Sequence, residues 1–236
     1  MNTIEFGSLS LFSDANLISY WKLENVNDSK SSNNLTNNGT TPFNAAKFNN
    51  GGDFGTGNTS KYFSIASALS IDGGAISCGG WIKINSEPSN TYYHIVGQSN
   101  NTSKTRYNLY YRDNGGAKTL ELLRTRVGVV DTTVSASISA LGTSAFHHIF
   151  FTYDTTNLRI YLDGVLVGTP TAASGNGSSA TANIFTIGAD AGPGAGNYSN
   201  LIIDDVPLFS RALTADEVAL IYNGPASDAP FMHFSQ

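Results

Sequence analysis

Apolar residues fall in short runs rich in Tyr, Phe, Ile, Val and Leu, and clusters of Asn, Gly and Ser separate them. That punctuation predicts β-strands. The runs are Leu17–Glu24, Lys61–Ile65, Ala75–Ile84, Tyr92–Gln98, Arg106–Arg112, Thr119–Val130, Phe146–Asp154, Asn157–Leu162, Val165–Gly168, Asn183–Gly188 and Leu201–Phe209. So many short strands call for two packed antiparallel sheets rather than one open sheet. Trp21, Trp81 and Phe151 are expected to share the interior. Asp163-Gly164 separates two apolar runs and suits a type I′ hairpin, whose central residues both need positive φ. Asp154-Thr155-Thr156-Asn157 makes a second tight reversal, so residues 146–168 read as a three-stranded meander. One helix is legible. Thr214 caps it, Glu217 completes a capping box, Val218, Ile221 and Tyr222 form its apolar stripe, and Gly224-Pro225 ends it. It is expected to cover one end of the sandwich. Residues 25–38, 168–182 and 189–200 read as surface loops.

Composition narrows the function. Charged residues make up 13% of the chain, about half the usual share. At 40% hydrophobic, the 236 residues still supply a full core. A net charge of −5, with Arg124 and Arg126 as the one basic cluster and Arg106 and Arg112 nearby, argues against nucleic acid as partner. Arg106, Arg112, Arg124 and Arg126 read as solvated strand positions. The single cysteine, Cys78, excludes an internal disulfide framework and reads as a buried thiol on a core strand. No run of 18 apolar residues predicts a membrane span, and the N-terminus has no signal-peptide pattern. The expected setting is an extracellular or virion surface, without membrane insertion.

Several segments, taken in order, are similar to the laminin-G-like, concanavalin A-like jelly-roll family. They are Leu17-Ile18-Ser19-Tyr20-Trp21-Lys22-Leu23, Asp28-Ser29, Gly80-Trp81-Ile82-Lys83, and Phe146-His147-His148-Ile149-Phe150-Phe151-Thr152-Tyr153-Asp154. The hairpin 158–168 and Ile202-Ile203-Asp204-Asp205-Val206, followed by Arg211-Ala212-Leu213 and the capped helix, complete the series. The resemblance implies an all-β, two-sheet antiparallel jelly-roll β-sandwich over residues 16–224. An N-terminal arm (1–15) and a C-terminal tail (225–236) flank it.

Hydrolases of this superfold carry paired carboxylates on one strand. Here Glu121 stands alone, and Asp204 and Asp205 are adjacent and so point to opposite faces, which argues against catalysis. His147 and His148 face opposite sides for the same reason. The resemblance implies one structural Ca²⁺, with Asp204 as its first ligand and Glu24, Asp28 and Asp53 as further candidates. It also implies carbohydrate binding, because sugar C–H faces stack on aromatic rings. Alternation puts Arg106, Asn108, Tyr110 and Arg112 on one strand face, and Tyr92 and Tyr93 stand nearby. Two function classes follow: a non-catalytic carbohydrate-binding or adhesion module, and a structural protein of a larger assembly such as a virion. In the second, the arms mediate self-assembly or docking onto a surface partner.

Overall fold

A computed structural model describes residues 11–65, 69, 74–100, 104–126, 129–173, 184–190 and 198–224. In chain order, its strands begin with β1 (Leu17–Trp21), β2 (Thr36–Asn38), β3 (Phe43–Ala45), β4 (Asn50–Asp53), β5 (Tyr62–Ile65) and β6 (Ile76–Ile84). Next come β7 (Tyr92–Asn100), β8 (Lys104–Asn114), β9 (Ala117–Arg126), β10 (Val129–Ser137) and β11 (His147–Tyr153). The last are β12 (Asn157–Leu162), β13 (Val165–Ala172), β14 (Ile184–Ile187), β15 (Leu201–Asp204) and β16 (Val206–Phe209), before helix α1 (Ala215–Asn223).

The strands form two antiparallel sheets. The back sheet runs β13-β12-β11-β6-β15-β4-β3, with β16 also on β6 and β1 on β16; the front sheet runs β10-β9-β8-β7-β14-β5-β2. Alternation drives one set of apolar side chains from each sheet into the space between. Trp21, Cys78, Ile82, Phe151, Ile160 and Leu208 come from the back sheet; Phe63, Ile95, Tyr107, Leu109, Leu122 and Phe185 come from the front. Burial pushes the Cys78 thiol up, which makes it inert.

The meander and its turn follow the expectation. β11, β12 and β13 pair in sequence, and Asp163 and Gly164 both have positive φ, at 51° and 78°. The helix likewise starts at the Thr214–Glu217 capping box. It does not cover an end of the sandwich. Val218 and Leu213 pack with Leu11, Leu17, Tyr20, Phe150, Tyr161 and Phe209 on the outer face of the back sheet, forming a second core. Arg211 anchors this layer by pairing with both Asp14 and Glu217, at 2.6 and 2.7 Å. Residues 11–14, within the span read as an arm, are therefore tied into the domain; residues 1–10 and 225–236 lie outside the described residues.

Other expectations are corrected. Trp81 is buried, but on the outer face of the back sheet, stacked on Tyr222 at 5.4 Å with the Lys47 ammonium 4.1 Å from its ring. Its strand is covered on both faces, so no polar alternation marks which face is the interior. Arg124 is not solvated: it is 0% exposed, lies 4.1 Å over the Tyr153 ring and donates to the Ala173 carbonyl. Strands β2, β3 and β4 emerge from Asn- and Gly-rich stretches without alternation. The run 201–209 is two strands, split where Asp205 takes φ 48°, so that β15 pairs with β4 and β16 with β1. Among the described residues, no helix is long and apolar enough to cross a membrane.

Candidate functional site

The outer face of the front sheet, opposite the helix-covered one, carries the candidate site. On β8, Tyr107, Leu109 and Tyr111 enter the core, so Asn108, Tyr110 and Arg112 face out. Register sets Tyr92 against Arg112 and His94 against Tyr110 on β7, with Glu121 beside Tyr110 on β9. A bulge at Ile95 sends both Ile95 and Val96 inward and returns Gly97 to the outer face.

Gly97 has a specific use. A Cβ there would lie 1.9 Å from Asn108 Oδ1, so only glycine lets the Asn108 amide lie flat across β7. From that position Asn108 Nδ2 donates to Asp190 Oδ1 at 3.2 Å, just beyond β14. Asp190 Oδ2 lies 3.9 Å from His94 Nε2. The rings of Tyr92, His94 and Tyr110 form a cluster, with centroids 5.1 Å (Tyr92–His94), 5.4 Å (Tyr92–Tyr110) and 5.5 Å (His94–Tyr110) apart. His94 and Asn108 are each 2% exposed and make the floor; Tyr92 and Tyr110 are half-buried above it.

The floor is under-satisfied. Neither ring nitrogen of His94 has a hydrogen-bond partner, nor does Asn108 Oδ1. Burial pushes His94 down to about 4, Asp190 acting weakly against it, so its imidazole is neutral at pH 7. Burial, with the Glu121 charge, also raises the Tyr110 phenol, which keeps it protonated. Glu121 is held by the Thr119 hydroxyl at 2.9 Å and by Arg112 at 3.4 Å.

Four of the six residues read as sugar-binding, Tyr92, Asn108, Tyr110 and Arg112, thus meet on one face. Tyr93 does not: one residue on, it faces the core, and its hydroxyl accepts from Asn200 Nδ2 at 3.0 Å. The side chain of Arg106 lies outside the described residues. His94 and Asp190 join the site without having been read from the sequence, and Glu121, read there as a lone carboxylate, lies beside Tyr110. Alternation from Tyr92 marks His94, but nothing local marks Asp190.

The four residues read as calcium ligands divide. Asp204 Oδ2 and Glu24 Oε2 accept from Phe48 N and Asn50 N, at 2.8 and 3.1 Å, so both grip one turn between β3 and β4. Asp204 Oδ1 is buried without a donor, and burial, then the Asp205 charge, pushes its carboxyl up to about 8. Asp28 instead accepts from Tyr20 N, Lys30 N and the Ser31 hydroxyl. Asp53 accepts from Asn44, Gly55 N and Asn85. Among the described residues, no three His, Cys, Asp or Glu side chains group as a metal site.

A laminin-G family model, described as Concanavalin A-like lectin/glucanases superfamily, matches residues 54–219. No curated protein matches the sequence. Among solved structures, the binding domain of Botulinum Neurotoxin DC in complex with SialylT aligns with a TM-score of 0.68 at 16% identity, over 90% of this chain and 52% of that one. The Botulinum Neurotoxin serotype G binding domain aligns at 0.67 and 15%, over 88% and 50%. Domain 4 of AbnA, a GH43 extracellular arabinanase from Geobacillus stearothermophilus in complex with arabinotriose, aligns at 0.59 and 15%, over 86% and 97%. This chain spans about half the length of the toxin binding domains. At these identities the likeness to solved structures is one of fold.

Proposed function

Because this chain belongs to the concanavalin A-like lectin/glucanases superfamily, we propose that it is a non-catalytic carbohydrate-binding module acting at an extracellular surface. Its ligand face is the outer surface of the front sheet. The observation that carries this reading is the pairing of the Tyr92 and Tyr110 rings, 5.4 Å apart, above a floor of buried His94 and Asn108 in which the His94 ring nitrogens and Asn108 Oδ1 lack partners. Rings of this kind stack on the C–H faces of a sugar. Two fold neighbours in complex with carbohydrate, one with SialylT and one with arabinotriose, support a carbohydrate-binding role.

Binding without hydrolysis is favoured by the engagement of the two carboxylates on this face. Arg112 and Thr119 hold Glu121, and Asn108 holds Asp190. Calcium is proposed as a structural ion, with Asp204 and Glu24 as its protein carboxylates. The buried, donorless Asp204 Oδ1 suits a hard cation, which would draw its remaining oxygens from backbone and water. Asp28 and Asp53, already saturated with protein donors, have no part in that site.

A glycan array tests the function. Wild type is expected to bind a defined subset of glycans, and Tyr110→Ala to lower that affinity by about tenfold or more, the scale of a lost aromatic stacking partner. Absence of binding to any glycan, or full affinity in Tyr110→Ala, would refute the assignment. Accumulation of cleaved product would refute the non-catalytic part.

A further inference from the structure

Helix α1 closes over a histidine that cannot carry a charge where it lies. His148, on β11, is buried, and neither ring nitrogen has a hydrogen-bond partner. Trp81 stands beside it in register on β6, and Tyr222 of α1 covers both, 5.4 Å from the Trp81 ring and 6.3 Å from the His148 ring. A buried imidazolium needs a carboxylate or water. The charged groups around it supply no free carboxylate. Asp163, on the turn between β12 and β13, accepts from His148 N with one oxygen and meets His147 Nδ1 with the other, each at 2.8 Å. Asp204, beside Trp81 on β15, is pushed up to about 8 and so is neutral in acid. On α1, Arg211 holds Glu217, and Asp216 lies exposed in the first turn, at the other end from Tyr222. Lys47, over the Trp81 ring, adds a positive charge.

The helix is fastened unevenly. Its first turn is fixed by the capping box, by the pairing of Arg211 with Asp14 and Glu217, and by buried Val218. Its last turn rests on half-buried Leu220, Ile221 and Tyr222, the Tyr222 ring lying against Gly164.

We propose that α1 is an acid-released latch: protonation of His148 lifts the last turn off the back sheet, the Arg211 anchorage acts as the hinge, and the Trp81 face is uncovered. The sign follows from burial. With α1 seated, His148 is pushed down to about 4, whereas in water it takes up a proton near 6.5. The seated form is therefore favoured in full above pH 6.5. Below that it loses about tenfold per pH unit to the lifted form, on the order of a hundredfold by pH 4. The latch is independent of the carbohydrate reading.

Amide hydrogen exchange of the full chain at pH 7, 6 and 5, corrected for intrinsic rates, tests it. Residues 218–223 are expected to lose about tenfold or more of their protection between pH 7 and 5, and to exchange faster than β8 and β9 throughout. In His148→Phe the pH dependence of the helix is expected to vanish. His148→Gln, polar but without a proton to gain, takes its place if the phenylalanine variant does not fold. Helix protection that is constant with pH in wild type overturns the proposal. So does the same fall in the variant, which places the titrating group elsewhere. Helix protection equal to that of β8 and β9 at every pH also overturns it, because the chain then opens only as a whole.

Discussion

Replacing His148 with phenylalanine tests how the back sheet holds a titratable group out of water. His148 is 0% exposed, its ring 5.3 Å from Trp81, 5.5 Å from Phe150 and 6.3 Å from Tyr222, and neither ring nitrogen has a partner. Burial pushes it from 6.5 down to about 4, the Asp163 charge offsetting a little. The unfolded chain therefore gains a proton below pH 6.5 that the native state does not take up until about pH 4. Stability is lost as pH falls through that window, at about 1.4 kcal/mol per pH unit and roughly 3 kcal/mol in total. His94 adds a loss of the same sign, while Asp204, pushed up to about 8, takes up a proton in the native state and opposes them. Both of these remain in His148→Phe, so the difference between variant and wild type isolates His148. Urea unfolding at pH 7, 6 and 5 should show the variant gaining about 2 kcal/mol on wild type between the ends of that series. A repacking cost of about 1 kcal/mol would be constant across pH. Parallel stability curves would refute the claim that His148 stays neutral in the folded protein.

Gly97→Ala should force Asn108 off Asp190, because the new methyl overlaps Asn108 Oδ1. The expected result is a fall in glycan affinity with a stability loss of about 1–3 kcal/mol, read by titration and urea unfolding together. Arg211→Ala should cost about 2 kcal/mol, since one partly exposed guanidinium holds both Asp14 and the helix-capping Glu217. It should also admit protease near residue 14, seen by mass spectrometry of limited digests. Millimolar calcium should raise the melting midpoint above that in EDTA, and Asp204→Asn should abolish the rise; an unchanged wild-type midpoint removes the ion.

Features that close within a few residues are legible in the order of amino acids alone. The Asp163-Gly164 turn is legible because two successive positive φ angles restrict the residues that fit. The Thr214–Glu217 cap is legible because its two hydrogen bonds close within one helical turn. The shared face of Asn108, Tyr110 and Arg112 follows from the strand period alone. Other features were set by long-range packing. Trp81 looked interior because β6 is buried on both faces, and its side was set by α1 and Lys47 arriving from far along the chain. Asn108 and Asp190 are 82 residues apart, and their contact depends on Gly97 lying between them and on the bulge at Ile95 that turns it outward. A local pattern records which face a side chain takes. Which distant side chain it meets there depends on strand order and register, set by long-range pairing and packing that no short window of residues contains.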